Sequence, residues 1–431
     1  MYPLARLSAR LGLGVRGCDR TDGENIRRLL RLGIPVERDN GTLSLPDVQA
    51  VVHTLAVSKE HPLLKEALKR DVPIMTRTEL LGLLSGRFAR CATVAGTHGK
   101  SSTVGFCASI LRAAGLSPTV LCGAALTRGD GGYIQGNEDI LLLEACEYKS
   151  AFLSLTPTHA LALGADYEHP DCFRSAGEVK EAFRRYLHLP TVRRRILPAS
   201  FGEKGVTFGE GGLFYKRELV LQDGYASFSL MRGEKHVGRV RLSVLGEYQA
   251  ENAVAAAALC HTLGVSDAAI LKGLSAFAGI GGRMELKGHL RGAPVYLDYA
   301  HHPVELAASL RCAASLGKRV VCVFEGHTYS RVRAFEKEFS HILATPCRTG
   351  ILPIFPARET NCLGMSGRKM AKDAGADFLP DYKSAAKYLS ENAGKNTVMM
   401  LIGAGQVWKT LSFLSAEDDY LPLKVSGCPH K

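Results

Sequence analysis

A chain of 431 residues with 46% hydrophobic and 22% charged residues is long enough for more than one packed core and reads as globular. Its net charge of +12 is scattered, with Arg27-Arg28, Arg184-Arg185 and Arg193-Arg194-Arg195 in different predicted regions and no basic stripe interleaved with aromatics. Nucleic-acid binding is therefore not expected, whereas a general attraction for anionic small molecules is. No apolar run approaches about 18 residues, the first residues lack a signal-peptide core, and the twelve cysteines include no C-x-x-C pair. These features argue against a membrane span, export and a thiolate metal site, and for a cytoplasmic protein with reduced cysteines.

The first stretch, to about Arg87, alternates short strands and helices. Gly14–Asp19 reads as a strand ending in a loop, Asn25–Leu32 as a helix and Ala50–Thr54 as a strand. A helix follows over Pro62–Arg70, then the apolar run Val72–Met75. This is the pattern of an open parallel sheet.

A second unit opens near Ala89. The apolar run Cys91–Ala95 predicts a buried strand, and Lys100-Ser101-Ser102-Thr103 opens an apolar helix reaching about Ala114. Between them lies the turn Gly96-Thr97-His98-Gly99. Glycines let backbone N–H groups crowd around phosphate oxygens, and the helix N-terminus adds partial positive charge. Lys100 is placed to reach terminal phosphates and Ser101 to ligate Mg²⁺. The turn is shorter than G-x-x-x-x-G-K-[ST], whose first glycine would fall at Val94. The segment nevertheless predicts use of a nucleoside triphosphate.

Three more strands are expected over Pro118–Cys122, Ile140–Glu144 and Ala160–Gly164. Glu144 ends an apolar strand, on the side where nucleotide-binding sheets face their ligand, and is a candidate Mg²⁺ ligand. Taken alone, a strand-end Glu is more often a solvated loop residue. Asp166-Tyr167-Glu168-His169-Pro170-Asp171 follows the next strand and can supply further metal ligands, or form a charged turn. From Gly202 to Leu245 polar, Gly-punctuated β-segments read as hairpins on the same domain, and Gly246–Leu263 holds an Ala-rich helix.

The third α/β unit begins near Lys287, with strands over Val295–Asp298, Arg319–Phe324, Gly350–Phe355 and Thr397–Ile402. Asp298-Tyr299-Ala300-His301-His302-Pro303 follows the first of these, with Pro303 at a helix N1 position. Glu325-Gly326-His327-Thr328-Tyr329-Ser330-Arg331 follows the second. Two consecutive strand ends thus carry His and the second adds Arg, a set suited to anions and to transition-state charge.

These segments, in this order, resemble the Mur ligases of peptidoglycan synthesis across almost the whole chain. The family's G-T-H-G-K-T-T-T stands here as Gly96-Thr97-His98-Gly99-Lys100-Ser101-Ser102-Thr103, and its E-A-x-E as Glu144-Ala145-Cys146-Glu147. The adenine-contacting G-x-H-N-x-x-N appears as Gly246-Glu247-Tyr248-Gln249-Ala250-Glu251-Asn252. Gly282-Arg283, Ala357-Arg358-Glu359 and Gly403-Ala404-Gly405 complete the match. Histidine in the phosphate loop and the doubled His301-His302 favour the branch that adds L-alanine to UDP-N-acetylmuramate.

The resemblance implies an α/β protein of three domains. Residues 1–86 form a truncated Rossmann-like domain for the UDP-sugar. Residues 87–285 form a P-loop-type ATPase domain with added hairpins, and residues 286–431 a Rossmann-like domain for the amino acid. It implies a ligase, acting as monomer or weak homodimer in cell-wall biogenesis, cell shape and division. ATP and Mg²⁺ would activate the substrate carboxylate as an acyl phosphate, which alanine attacks.

By matching position, Gly96, Thr97, His98, Gly99, Lys100, Ser101 and Ser102 would cradle the phosphates. Ser101, Glu144 and His169 would hold Mg²⁺. Asn252 and Asp298 would contact the nucleoside and Arg283 the phosphates. Thr54, Tyr299, His301, His327 and Arg331 would bind substrates, and Lys100, Glu144, His169, His301 and Arg331 would carry the chemistry.

The chain also departs from the family. The family's first strand and its G-x-G-G-x-G-M loop have no counterpart before Met1, so a strand is expected to be missing from the first sheet, leaving an open edge or an exposed apolar face. Tyr248 and Gln249 replace His and Asn, Gly164 replaces an asparagine, and Gly282 and Thr328 each replace an arginine. A Mur-type ligase with a shifted acceptor, and a non-catalytic nucleotide-binding homologue, stay open as other readings.

Overall fold

Apolar runs bounded by glycine, proline and charge become the strands. The computed structural model describes residues 1–126, 129–137, 139–167, 172–357, 359–361 and 364–423. It divides into two compact units, one of Met1–Asp166, Gly177–Phe214 and Ala255–Gly273, the other of Tyr167–Ala176, Tyr215–Val254 and Leu274–Lys431.

In the first unit, α1 (Tyr2–Arg10), β1 (Gly17–Asp19), α2 (Glu24–Arg31), β2 (Val36–Arg38), β3 (Val51–His53), α3 (Pro62–Lys69), β4 (Ile74–Thr76) and α4 (Arg77–Ser85) precede the phosphate loop. The sequence Thr76-Arg77-Thr78-Glu79 starts α4 as a capping box: Glu79 N–H donates to Thr76 Oγ1 at 3.3 Å and Thr76 N–H to Glu79 Oε2 at 2.6 Å. Strands β1 and β2 pair in parallel, as do β3 and β4. The two pairs are separate sheets, so among the described residues β1 and β3 each have one strand neighbour. Leu13, Leu30, Leu55 and Leu68 are exposed in this region.

Seven strands follow in a larger sheet: β5 (Arg90–Ala95), β6 (Thr119–Leu121), β7 (Tyr133–Ile134), β8 (Ile140–Glu144), β9 (His159–Ala162), β10 (Arg194–Pro198) and β11 (Val206–Phe208). Their order is β7-β6-β8-β5-β9-β10-β11. The chain leaves β5 to build one flank and returns to build the other, so β5 is the switch point at which open α/β sheets bind ligands. Cys91, Ala92, Val94 and Ala95 are fully buried, as are Val104, Phe106 and Ile110 of α5 (Lys100–Ala113). Burial of Val94, Val104, Phe106 and Ile110 contributes about 1.5–3 kcal/mol each.

β12 (Phe214–Gln222) carries the chain into the second unit, where β13 (Tyr225–Arg232) and β14 (Lys235–Leu245) pair antiparallel. Seven more strands complete this unit: β15 (Glu285–Leu290), β16 (Ala293–Asp298), β17 (Arg319–Phe324), β18 (Arg348–Ile351), β19 (Asp377–Phe378), β20 (Thr397–Ile402) and β21 (Tyr420–Pro422). Their order is β19-β18-β17-β20-β16-β15-β21, parallel from β19 to β16 and antiparallel at β15 and β21. The strand expected over Gly350–Phe355 instead spans Arg348–Ile351. Pro353 has no N–H to extend the ladder, so the regular strand stops before it, and the chain stays alongside the residues after β17 only through isolated bonds such as Phe355 N–H to Gly326 O at 2.8 Å.

Among the described residues all ten cysteines are free. No helix among them is long and apolar enough to cross a membrane.

Candidate active site

In the first unit the chemistry-bearing residues gather at the carboxyl ends of β5, β8 and β9. Val94 of β5 lies beside Glu144 of β8, and Ala95 beside Ala162 of β9. Gly99 sits at φ +81°, a left-handed conformation that costs a side-chain-bearing residue about 1 kcal/mol or more, and it caps α5 without a side-chain acceptor. The first turn of α5 therefore offers its N–H groups to an anion. Thr97, Ser101 and Ser102 are buried around this loop. Thr97 N–H donates to Gly164 O at 3.2 Å and Thr97 Oγ1–H to Asp166 O at 3.2 Å, which ties the loop to the β9 end. His98 Nε2 lies 3.9 Å from Asp166 Oδ2.

Lys100 folds back over the loop. Its ammonium donates to Gly96 O at 2.5 Å, Thr97 O at 3.3 Å and Glu147 Oε1 at 2.9 Å. Glu147 is only 2% exposed. This buried acid is a site residue that sequence reasoning passed over, although it is the second acid of Glu144-Ala145-Cys146-Glu147 and stood in view. Residues three apart on a strand-to-helix turn can serve one pocket, and only the packed structure shows that Glu147 turns inward to the lysine.

Glu144 ends β8 half-buried, and its Oε1 accepts from the Cys122 thiol at 2.9 Å. Burial, with the Glu144 charge beside it, pushes that thiol well up, so it stays an S–H donor. The same thiol also faces Ser101. Ser101 and Glu144 thus offer a hydroxyl and a carboxylate, hard oxygen donors of the kind Mg²⁺ takes. His169, the third residue assigned to the metal, lies outside the described residues, as does Arg358. Among the described residues no three His, Cys, Asp or Glu side chains cluster in a way that would hold a metal.

Thr54 follows β3 and is half-buried. A cavity of about 440 Å³ in the same unit is lined by Asp19, Thr21, Asn25, Arg28, Gly123 and Gly131, among others. Beside it Asp130 takes the Tyr2 hydroxyl, Arg6 at 2.5 Å and Arg28 at 3.3 Å, which fastens α1 and α2 to the turn before β7.

The second unit carries its own cluster at the carboxyl ends of β16, β17 and β20. Asp298 is buried, and its carboxylate accepts from Met284 N–H at 2.7 Å, Ala300 N–H at 2.9 Å and Ser309 Oγ–H at 3.1 Å. Burial raises its pKa despite the Arg283 charge. It holds the Gly282–Met284 loop, whose Arg283 lies 5.2 Å over the Tyr299 ring and 4.0 Å from Glu305. Asn252, on the helix Tyr248–Thr262, is buried and donates to Gln249 Oε1 at 3.1 Å.

The doubled histidine divides its work. His302 is buried and caps the helix Pro303–Ala314 by accepting from Val304 N–H at 3.3 Å. His301 points into the cluster, 5.4 Å from the Tyr299 ring and 5.8 Å from the His327 ring, with Glu305 3.4 Å away. Glu305 is a second acid missed from sequence, four residues past His301 in the first helical turn. Arg331 Nη1 lies 3.1 Å from His327 Nδ1. A guanidinium only donates, so Nδ1 accepts and the imidazole proton sits on Nε2. Between them Thr328 adopts φ +64°, a strained conformation for a β-branched residue, held by its N–H to Phe355 O at 2.9 Å.

Two family models match, "Mur ligase family, catalytic domain" over residues 1–89 and "Mur ligase, glutamate ligase domain" over residues 282–405. A UDP-N-acetylmuramate–L-alanine ligase of Agathobacter rectalis is 32% identical, over 94% of this chain and 93% of that protein. The chain belongs to the Mur ligase family. The alanine ligase of Thermotoga maritima shares the fold at a TM-score of 0.84 and 22% identity, covering 97% of this chain and 96% of that one. The Thermotoga maritima MurF ligase in complex with ADP does so at 0.65 and 17%, covering 86% and 96%.

A third buried acid, Glu325, organises the Mur ligase turn after β20. Its Oε2 accepts from Gln406 N–H at 2.5 Å and Val407 N–H at 2.9 Å, and its Oε1 from Tyr382 OH at 2.6 Å. Burial pushes the carboxyl up against the pull of those donors. The folded chain therefore binds this proton more tightly than the unfolded chain, whose group titrates near the ordinary 4.5. This contribution stabilises at low pH and is lost as pH rises from that value through the raised folded one. Glu325→Gln keeps an oxygen for both N–H groups and offers its NH₂ to the Tyr382 oxygen. Its stability relative to wild type should climb as pH rises above 4.5 in urea titrations, and a flat difference would refute the assignment.

Proposed function

We propose that this chain is a ligase that joins L-alanine to UDP-N-acetylmuramate at the expense of ATP, in peptidoglycan synthesis. The observation that carries the reading is the Lys100–Glu147 pair set in the Gly96–Ser102 loop at the β5 switch point. Identity to a named alanine ligase along most of both chains supports it, as does a shared fold whose MurF representative holds ADP.

The reaction runs in two displacements. A substrate carboxylate oxygen attacks the γ-phosphorus of ATP, and the bond to the ADP oxygen breaks. The amine of alanine then attacks the acyl carbon, loses a proton, and the tetrahedral intermediate expels phosphate. A carboxylate is a poor electrophile until one oxygen becomes a good leaving group, which is what the first step achieves. Lys100 and the α5 N-terminus neutralise charge on the transferring phosphoryl group. Mg²⁺, when bound, screens the phosphate oxygens, and Ser101, Glu144 and His169 are proposed to hold it.

On the second unit, Asn252 is proposed for the nucleoside, Asp298 through the loop it holds, and Arg283 for the phosphates. Tyr299, His301, His327 and Arg331 are proposed to face the acceptor, with Nε2–H of His327 and the Arg331 guanidinium as donors to its carboxylate. Thr54 is proposed for the UDP-sugar. A division at 1–86, 87–285 and 286–431, action in the cytoplasm, and a monomer or weak homodimer belong to the same reading.

The test supplies purified protein with ATP, Mg²⁺, UDP-N-acetylmuramate and one amino acid at a time. Phosphate release should require both the sugar nucleotide and L-alanine, and mass spectrometry should find the alanyl product. Release with serine or glycine but not alanine would transfer the reading to another acceptor. No release with any amino acid, while ATP still binds, would sink it.

A further inference from the structure

The end of β6 carries two residues that no step above uses and that both abut Glu144. Strands β6 and β8 run in parallel register, Leu121 beside Leu143, so the next residues bring Cys122 alongside Glu144. Cys122 is 5% exposed, and its thiol donates to Glu144 Oε1 at 2.9 Å. Cys122 N–H donates to Gly132 O at 2.8 Å, which fixes the strand end. At Gly123 a Cβ would lie 2.9 Å from Glu144 Oε2 and 3.7 Å from its Cδ. One carboxylate oxygen thus rests on a donor and the other against a position where a Cβ would press on it.

We propose that Cys122 and Gly123 are positioning residues for the Glu144 carboxylate, the thiol selecting its orientation and the glycine leaving room for its other oxygen. This rests on the reading of Glu144 as a Mg²⁺ ligand. A glutamate at a strand end has several rotamers of similar energy, and a ligand that must be gathered from them binds metal less tightly. The S–H group is a weak donor, but its acceptor is charged and the thiol itself is buried, so the preference it imposes is more than a surface contact would give. Serine can take over the thiol's role, because its O–H donates to the same oxygen, whereas alanine cannot. Gly123→Ala presses on the mobile end of Glu144 and not on backbone, so it displaces the carboxylate without unfolding the chain.

The test titrates Mn²⁺ into the full-length protein with ADP and reads free Mn²⁺ by electron paramagnetic resonance. Cys122→Ala should weaken Mn²⁺ binding about fivefold to tenfold, and Cys122→Ser should stay within about twofold of wild type. Gly123→Ala should weaken binding to an extent similar to Cys122→Ala, with its urea midpoint unchanged. Wild-type affinity in Cys122→Ala, or Cys122→Ser as weak as Cys122→Ala, would overturn the proposal, the second because it would mark a packing role. Glu144→Gln is the control: if it binds Mn²⁺ like wild type, the assignment of Glu144 as a ligand fails. If it binds weakly while Cys122→Ala and Gly123→Ala do not, only the positioning role fails.

Discussion

Lys100→Ala should lower alanine-dependent phosphate release by about 10³-fold or more and at the same time destabilise the protein. The two effects have different origins. The catalytic loss follows from removing a positive charge aimed at the phosphate loop, where the lysine now lies 2.5 Å from Gly96 O. The stability loss follows from Glu147, which is 2% exposed and accepts from that ammonium at 2.9 Å. Breaking a buried pair from one side leaves an uncompensated charge and costs about 3 kcal/mol or more.

The double variant Lys100→Ala, Glu147→Gln separates them. Taking away the stranded carboxylate should return most of the stability in urea titration while activity stays lost, giving a strongly non-additive cycle. The destabilisation of the single variant should also shrink as pH falls, because a lone buried carboxyl relieves its cost by taking a proton. A single variant with wild-type stability, or a double variant that regains activity, would contradict this account of the loop.

The second large effect is expected at Arg331. Arg331 is 6% exposed, and its guanidinium donates to both Nδ1 and the carbonyl of His327, at 3.1 and 3.4 Å. Arg331→Ala removes a fixed charge and also frees the His327 tautomer. With no donor on Nδ1 the proton can move there, and Nε2 turns from donor to acceptor, facing a carboxylate with a lone pair. Losing a charge-assisted hydrogen bond and inverting a neighbour should together raise KM for L-alanine about 10²-fold, while KM for ATP stays within about twofold. Arg331→Lys should fall between, since a point charge can still donate to Nδ1 but cannot fork. A parallel rise in both KM values would show that Arg331 holds the unit together instead of serving the acceptor.

Much of the fold was legible along the chain because its strands are short apolar runs with sharp ends. Arg319–Phe324 and Thr397–Ile402 match the expected strands residue for residue, and the helix after the phosphate loop ends within one residue of expectation. The strand read to Phe355 stops at Ile351 because hydrophobicity continues past the point where Pro353 breaks the ladder. In the site, Lys100 and His301 could be picked out because each follows a predicted strand next to glycine, acid or histidine. Glu147, Glu305 and Glu325 could not be weighed in the same way. A carboxylate in a loop looks alike whether it faces water or a buried ammonium, and only packing distinguishes them.

The chain by itself settled the kind of protein: the order of its segments, from Gly96–Ser102 through Asp298–Pro303 to Gly403–Gly405, is a local property carried by backbone-permissive glycines, strand ends and charged side chains. Three-dimensional packing decided where the members of each group are placed. It turned His302 into a helix cap and His301 toward the cluster, buried Glu147 against Lys100, set Cys122 on Glu144, and divided the first four strands into two separate pairs. The reason is common to all four. A side chain's direction and a strand's neighbours depend on partners distant in sequence, and no periodicity along the chain reports where those partners lie.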